Sequence, residues 1–160
     1  MASSASQEST LVGKRLMDAG YVLPEVPEPR ADYLPAKTVG NFVYLSGQVP
    51  FVDNELQVRG RLGEGVSEDA GTGQAALAAL NALGAAYAHL GTLDDVDVAS
   101  MTVYVASAAT FHDHHLVANG ASKVIGAAFG PHPRTSVGVT SLPLDAVVEV
   151  QLVLAMRSPG

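Results

Sequence analysis

The run from His132 to Met156, HPRTSVGVTSLPLDAVVEVQLVLAM, constrains the fold of this chain more tightly than any other segment. It reads as two strands of period two, each with its own division of faces. In the first, Arg134, Ser136, Gly138 and Thr140 share one face, and Thr135, Val137, Val139 and Ser141 the other. In the second, Val148, Val150, Leu152 and Leu154 form an unbroken apolar face, and Glu149 and Gln151 point the opposite way. A strand with one wholly apolar face belongs in a sheet covered on that side. A guanidinium and a carboxylate set among Val and Leu must either pair with each other or await a ligand.

Upstream segments supply the rest of such a domain. Strand patterns are predicted at about 33–38 and 41–46 around a Gly40-Asn41 hairpin turn, the second ending at Pro50. Residues 51–66 carry repeated Gly and Asn breaks and are predicted as a loop with a short strand near Leu56–Val58. Ser67 is a natural N-cap, with Glu68 and Asp69 in the first turn and Gly91 as the stop. Between them Leu77, Leu80, Leu83, Tyr87 and Leu90 recur at helical spacing, with alanines widening the stripe. A strand over about 97–106 and a second helix over about 113–129 follow. At the other end, a frayed tail at 1–8 precedes a short helix over about 10–19, capped by Ser9, with Leu11, Leu16 and Met17 as its apolar side. PEVPEP at 24–29 is an extended connector. The order β-β-(β)-α-β-α-β-β predicts a single α+β domain with a mixed sheet and two main helices on one face. The opposite face then needs a cover, and a closed homo-oligomer is the economical one.

Composition narrows the function. At 160 residues, 48% hydrophobic and 16% charged, the chain is a globular single-domain length with no sign of a second core. A net charge of −7 and nine scattered basic residues disfavour nucleic acid as a partner. The absence of cysteine removes disulfides, thiolate catalysis and zinc-cysteine sites. MASSASQES lacks the apolar core of a signal peptide, and no apolar run reaches membrane-spanning length, so a cytoplasmic location is expected.

Arg134 is the leading candidate for a binding role, since a planar guanidinium can clamp a carboxylate; an ion pair with Glu149 or an aspartate is the structural alternative. Glu149, bordered by Val148 and Val150, should have its pKa raised by desolvation into a range useful for activating water. A simple hairpin about Pro143 would set Glu149 nearer Gly138 than Arg134, some ~13 Å along the strand, too far for direct contact. FHDHH at 111–115 offers His112, His114 and His115, but consecutive positions rarely face one ion, and a solvated helix start is the simpler reading. His132 is read as a turn residue at the mouth of the site. GTGQ at 71–74 lies inside a helix and lacks the strand-to-helix setting of a phosphate loop. Ser46 has no nucleophile-elbow pattern and reads as a strand-end hydrogen-bonding group.

Taken together, VYLSGQVP at 43–50, the Ala-rich helix containing Asn81, the strand ASMTVYVAS and the HPRTSVGVTSLPLDAVVEV run resemble the RidA/YjgF family of enamine/imine deaminases. The resemblance runs from about Tyr33 to the C-terminus, dividing the chain into an N-terminal extension with a short helix (1–30) and a RidA-like domain (31–158). It implies a chorismate-mutase-like α+β fold, a homotrimer with sites between subunits, no metal or organic cofactor, and hydrolysis of 2-enamine and 2-imino acids to 2-keto acids and ammonia. By the same resemblance Arg134 matches the carboxylate-binding arginine and Glu149 the glutamate that positions water. Tyr33, Ser46, Ser136 and Asn119 fall at substrate-binding positions, Ser136 standing where many members carry cysteine. ADYLPA replaces the usual G-P-Y-S-Q-A, and FHDHHLVANGAS is longer than the family's segment, which marks a divergent subgroup with an extended N-terminus. Two other readings remain open: a non-catalytic keto-acid binding protein, and a hydrolase or tautomerase dedicated to a biosynthetic pathway. Ribonuclease activity, a name some relatives carry, fits the acidic composition poorly.

Overall fold

The structure, a computed structural model, describes residues 8–25 and 32–158. Most of the PEVPEP connector and the tail at 1–7 lie outside the described residues. Helix α1 (Leu11–Asp18) opens the fold, followed by strands β1 (Ala36–Val39) and β2 (Phe42–Leu45) and the two-residue pieces β3 (Phe51–Val52), β4 (Glu55–Leu56), β5 (Arg61–Leu62) and β6 (Gly65–Val66). Helix α2 (Glu68–Leu90), β7 (Val96–Ala106), helix α3 (His114–Phe129), β8 (Arg134–Val139) and β9 (Val148–Met156) complete it. The main sheet has the order β1-β2-β9-β7-β8, with β8 parallel to β7 and every other pair antiparallel. This is the α+β fold with two main helices on one sheet face.

The hairpin between β8 and β9 does not form. β9 inserts between β2 and β7, leaving β8 at the edge. Burial explains the choice: Val148, Val150, Leu152 and Leu154 are fully buried and need a strand on both sides and helices above. The β8 face pattern alternates between half-buried and exposed, as suits an edge strand. The connection passes through Leu144 and Asp145, both at positive φ (60° and 63°), and Arg59 Nη1 donates to the Leu144 carbonyl at 2.5 Å to hold the turn.

Gly40, at φ +59°, makes the two-residue hairpin of β1 and β2 as predicted. The expected loop at 51–66 is instead four strand fragments, the first two joined through Asp53 and Asn54, both with positive φ. Helix α2 starts from Ser67, whose side chain accepts from the Ala70 amide at 3.1 Å, and stops at Gly91 in the left-handed region. Its leucine stripe is only partly the core face. Ala75, Ala78, Ala79, Ala82 and Ala86 are fully buried with Leu83, and Leu77, Leu80 and Leu90 are half-buried. Small residues win there because α3 crosses close by: a Cβ on Gly120 would overlap the Thr72 carbonyl oxygen and stand 2.9 Å from its carbon. GTGQ is thus a packing segment, in which Gly71 seats Leu62 and Val117.

The short N-terminal helix is capped by Thr10, which accepts from the Gly13 amide at 3.0 Å, not by Ser9. Asp94 adds a second cap from across the molecule, accepting from the Leu11 and Val12 amides at 2.9 Å each. The buried residues are Val12, Gly13 and Leu16, whereas Leu11 and Met17 are exposed, because the helix lies against α3 on its Val12–Leu16 side. No helix among the described residues is long and apolar enough to cross a membrane.

Candidate functional site

Register divides the predicted site residues into two groups on opposite faces of the sheet. Arg134 is opposite Met101, and Ser136 opposite Val103, both buried beneath the helices, so these two side chains share the helix-covered face. Glu149 is opposite Tyr104, which in turn is opposite Val137, on the open face. The two charges are also two strands apart, about 10 Å across the sheet, and about 10 Å out of register along it. They do not meet within one chain.

Arg134 leans under α3. Its Nη1 donates to Asn119 Oδ1 at 2.9 Å and Ser122 Oγ at 3.0 Å, and its Nη2 to the His115 carbonyl at 3.2 Å. His132 backs this arrangement, its Nε2 lying 3.1 Å from Ser122 Oγ and its Nδ1 3.0 Å from the Gly130 carbonyl. Because the Gly130 carbonyl can only accept, Nδ1 is the donor in that bond. Every partner of the guanidinium is neutral. Among the described residues no carboxylate pairs with it, the one salt bridge being Arg61–Glu64. Three of its five N–H donors are used, so Nε–H and one Nη2–H remain for a ligand. Ser136 stands half-buried two residues along the same face.

The second group forms around Glu149. Its carboxylate lies against the Gly47 backbone, so closely that a Cβ at position 47 would overlap Oε1 and stand 2.7 Å from Cδ. Burial alone raises the Glu149 pKa above the ordinary carboxylate value. Gly47, Tyr104, Leu142, Glu149 and Gln151 line an open cavity of about 310 Å³, and Tyr104 Oη donates to Gln151 Oε1 at 3.3 Å. The SGQ segment is pinned at several points. Ser46 Oγ donates to the Leu34 carbonyl at 2.6 Å, Gln48 and Val150 exchange backbone bonds of 2.9 Å, and Asn81 Nδ2 donates to the Val49 and Phe51 carbonyls at 2.9 and 3.1 Å. Tyr33 is next to Leu34 and 59% exposed. Ser46 therefore belongs to the Glu149 side, and Ser136 and Asn119 to the Arg134 side.

Gly47 was not singled out from the sequence. Its signal is the glycine inside SGQ, which becomes meaningful only once Glu149 is known to lie across from it. Ser122 and His132 likewise gain a role only when α3 is folded over β8. Of the histidine cluster, His112 and His115 are exposed, and His114 turns inward to Ser107, its Nε2 2.9 Å from the hydroxyl. Among the described residues no group of three His, Cys, Asp or Glu is placed to hold a metal ion.

Fold and site together define a small α+β domain with an arginine held by neutral acceptors on one sheet face and a desolvated glutamate on the other. The family model described as Endoribonuclease L-PSP matches residues 24–156, and the chain belongs to that family, the YjgF/RidA family. It is similar to Protein TCP17 of Trypanosoma cruzi, 34% identical over 152 residues covering 92% of this chain and 95% of the relative. Among solved structures it is similar to the protein Atu1372 of unknown function from Agrobacterium tumefaciens, at 33% identity and a TM-score of 0.85, covering 96% of both chains. RidA from the Antarctic bacterium Psychrobacter sp. PAMC 21119 matches at 29% identity and a TM-score of 0.59, over 82% of this chain and 94% of its own.

Proposed function

We propose that this protein hydrolyses reactive 2-enamine and 2-imino acids to 2-keto acids and ammonia, at sites each built from two copies of the chain in a homotrimer. The observation that carries the reading is the guanidinium of Arg134, held by three neutral acceptors and, among the described residues, by no carboxylate. A clamp built that way keeps its charge for an anionic ligand. Glu149 is the matching half. Its raised pKa suits a group that orients and partly deprotonates water, and its place on the other face is compatible with delivery of that water to a substrate held by a neighbouring copy. The open sheet face, with Phe42, Tyr44, Val39 and Val137 exposed on it, provides apolar surface for such an association.

The enamine first tautomerises to the imine, its terminal carbon gaining a proton as its nitrogen gives one up to water. Arg134, with the Ser136 backbone, Asn119 and the Tyr33 and Ser46 region of the neighbouring copy around it, holds the carboxylate. Water activated by Glu149 adds its oxygen to C2, and its protons pass to the nitrogen. The C–N bond then breaks, releasing ammonia and leaving the keto group. The family's endoribonuclease description is less well supported here, because the net charge of −7 repels a phosphate backbone.

A complementation assay tests the shared site. Arg134→Ala and Glu149→Gln chains should each fail to deaminate 2-iminopropionate generated in situ. After unfolding and refolding together in equal amounts, about one quarter of the interfaces carry both wild-type groups, and about a quarter of the activity should return. No recovery, with oligomers shown to be mixed, would refute a site made from two copies.

A further inference from the structure

The open cavity beside Glu149 exists because the two side chains that could fill it are both drawn aside. Tyr104 on β7 is directly opposite Glu149 on β9, and Gln151 is the diagonal neighbour two residues on. Directly opposite side chains start about 5 Å apart and diagonal ones about 7 Å apart, so the phenol passes over its nearer neighbour to reach the farther one. Its Oη donates to Gln151 Oε1 at 3.3 Å. Glu149 turns the other way. Its carboxylate lies against Gly47, beside the Gln48 backbone that bonds to Val150, on the flank of β9 away from β7. Leu142 lines a further side, and the cavity of about 310 Å³ is what remains between them.

Among the described residues no donor is bonded to the Glu149 carboxylate, and burial alone raises its pKa. Tyr104 and Gln151 are half-buried, where a phenol hydroxyl needs an acceptor, and a carboxylate is a stronger acceptor than an amide oxygen. Without the Gln151 oxygen, the nearest acceptor for the phenol is the carboxylate opposite it. Of the residues that line the cavity, only Tyr104 and Glu149 titrate. A hydroxyl donated to the carboxylate would favour its charged form, weaken it as a base and fill the space in front of it.

We infer that Gln151 is a positioning residue for Glu149: it holds the Tyr104 phenol aside, so that the carboxylate stays free of a protein donor and the cavity stays open to water and substrate. Gln151 can do this because it is two residues from Glu149 on the same face of β9, within reach of the phenol but past the carboxylate. The catalytic part of the inference rests on the proposed role of Glu149. The geometric part does not.

Titration of the Glu149 carboxyl carbon, followed by NMR in the full-length protein, reads the geometric part without turnover. Gln151→Leu removes the acceptor and should move the midpoint down by about one pH unit or more, the worth of a hydrogen bond to a charged group. Added apolar surface alone would move it up, so the sign decides. Combining Gln151→Leu with Tyr104→Phe should bring the midpoint back to the wild-type value or above. Gln151→Met, with the length of glutamine and only a weak acceptor, should repeat the downward movement and covers a folding defect in the leucine variant. A midpoint that stays or rises in both Gln151 variants, or that falls equally when the phenol is gone, overturns the inference. In deamination of 2-iminopropionate, Gln151→Leu should lower kcat about tenfold with KM little changed, and the double variant should recover most of the loss. A lowered midpoint with unchanged kcat overturns the catalytic part and the role of Glu149 with it. A wild type that deaminates no imino acid overturns the proposed function and the catalytic part, and the titration still decides the geometry.

Discussion

Replacing Gly47 by alanine tests whether the observed position of Glu149 is the one chemistry uses. The new methyl would lie 2.7 Å from Glu149 Cδ and on top of Oε1. Carbon atoms in ordinary contact are about 3.5–4.0 Å apart, so the carboxylate must retreat by about 1 Å or swing to another rotamer. Nothing else in the variant changes, because Gly47 does not adopt a positive φ and the backbone accepts alanine without strain. A displacement of about 1 Å at a reacting group costs about 10²-fold in rate, or about 2.7 kcal/mol of transition-state stabilisation. The expected result is a fall of that size in kcat for 2-iminopropionate, with KM little changed because Arg134 is untouched. The melting temperature should shift by no more than about 2–4 °C, the effect of about 1 kcal/mol in a domain of this size. Deamination would be followed by ammonia release and unfolding by circular dichroism. A Gly47→Ala protein that keeps kcat within threefold of wild type would refute the assignment of Glu149 in this pose as the water-orienting group.

Glu149 also links stability to pH. Its folded pKa is raised by burial, so the folded state binds the proton more tightly than the unfolded state. That contribution is fully present below the ordinary carboxylate value and is lost as pH rises through the folded one. Glu149→Gln should therefore be more stable than wild type at neutral pH, and the gap should close as pH falls below the ordinary value; melting curves across that range check it, and an equal gap at every pH would contradict the desolvation argument. Gly120→Ala should destabilise by about 1–3 kcal/mol through overpacking against the Thr72 carbonyl, seen as a lower denaturant midpoint with an unchanged slope.

Legibility in the sequence followed the range of the physical signal. Ser67 and Gly91 bound α2 as local chemistry predicts, and the period-two faces of 134–140 and 148–154 are those of β8 and β9. The apolar identity of Val148, Val150, Leu152 and Leu154 was plain, but not that it would draw β9 into the middle of the sheet and send β8 to the edge. Leu77, Leu80 and Leu90 looked like the core of α2 because hydrophobic size is what a pattern registers. The alanines are buried instead because Gly120 lets α3 approach, and that closeness is written nowhere in the α2 sequence. Ser9 and Thr10 are both fair caps, and the Asp94 carboxylate that helps settle the helix start is more than eighty residues away in sequence.

Sequence by itself determined the main helices and long strands, the side of each strand on which Arg134 and Glu149 stand, and the desolvation of a glutamate set between valines. These are properties of neighbours along the chain. Tertiary structure decided that the two charges face opposite sides of one sheet, two strands apart, so that neither saturates the other. It also folded α3 over β8, giving Arg134 its neutral acceptors and placing His114 where residue 138 has no side chain. Such juxtapositions depend on strand order and on helix approach, which the whole core sets through burial and which no local pattern encodes.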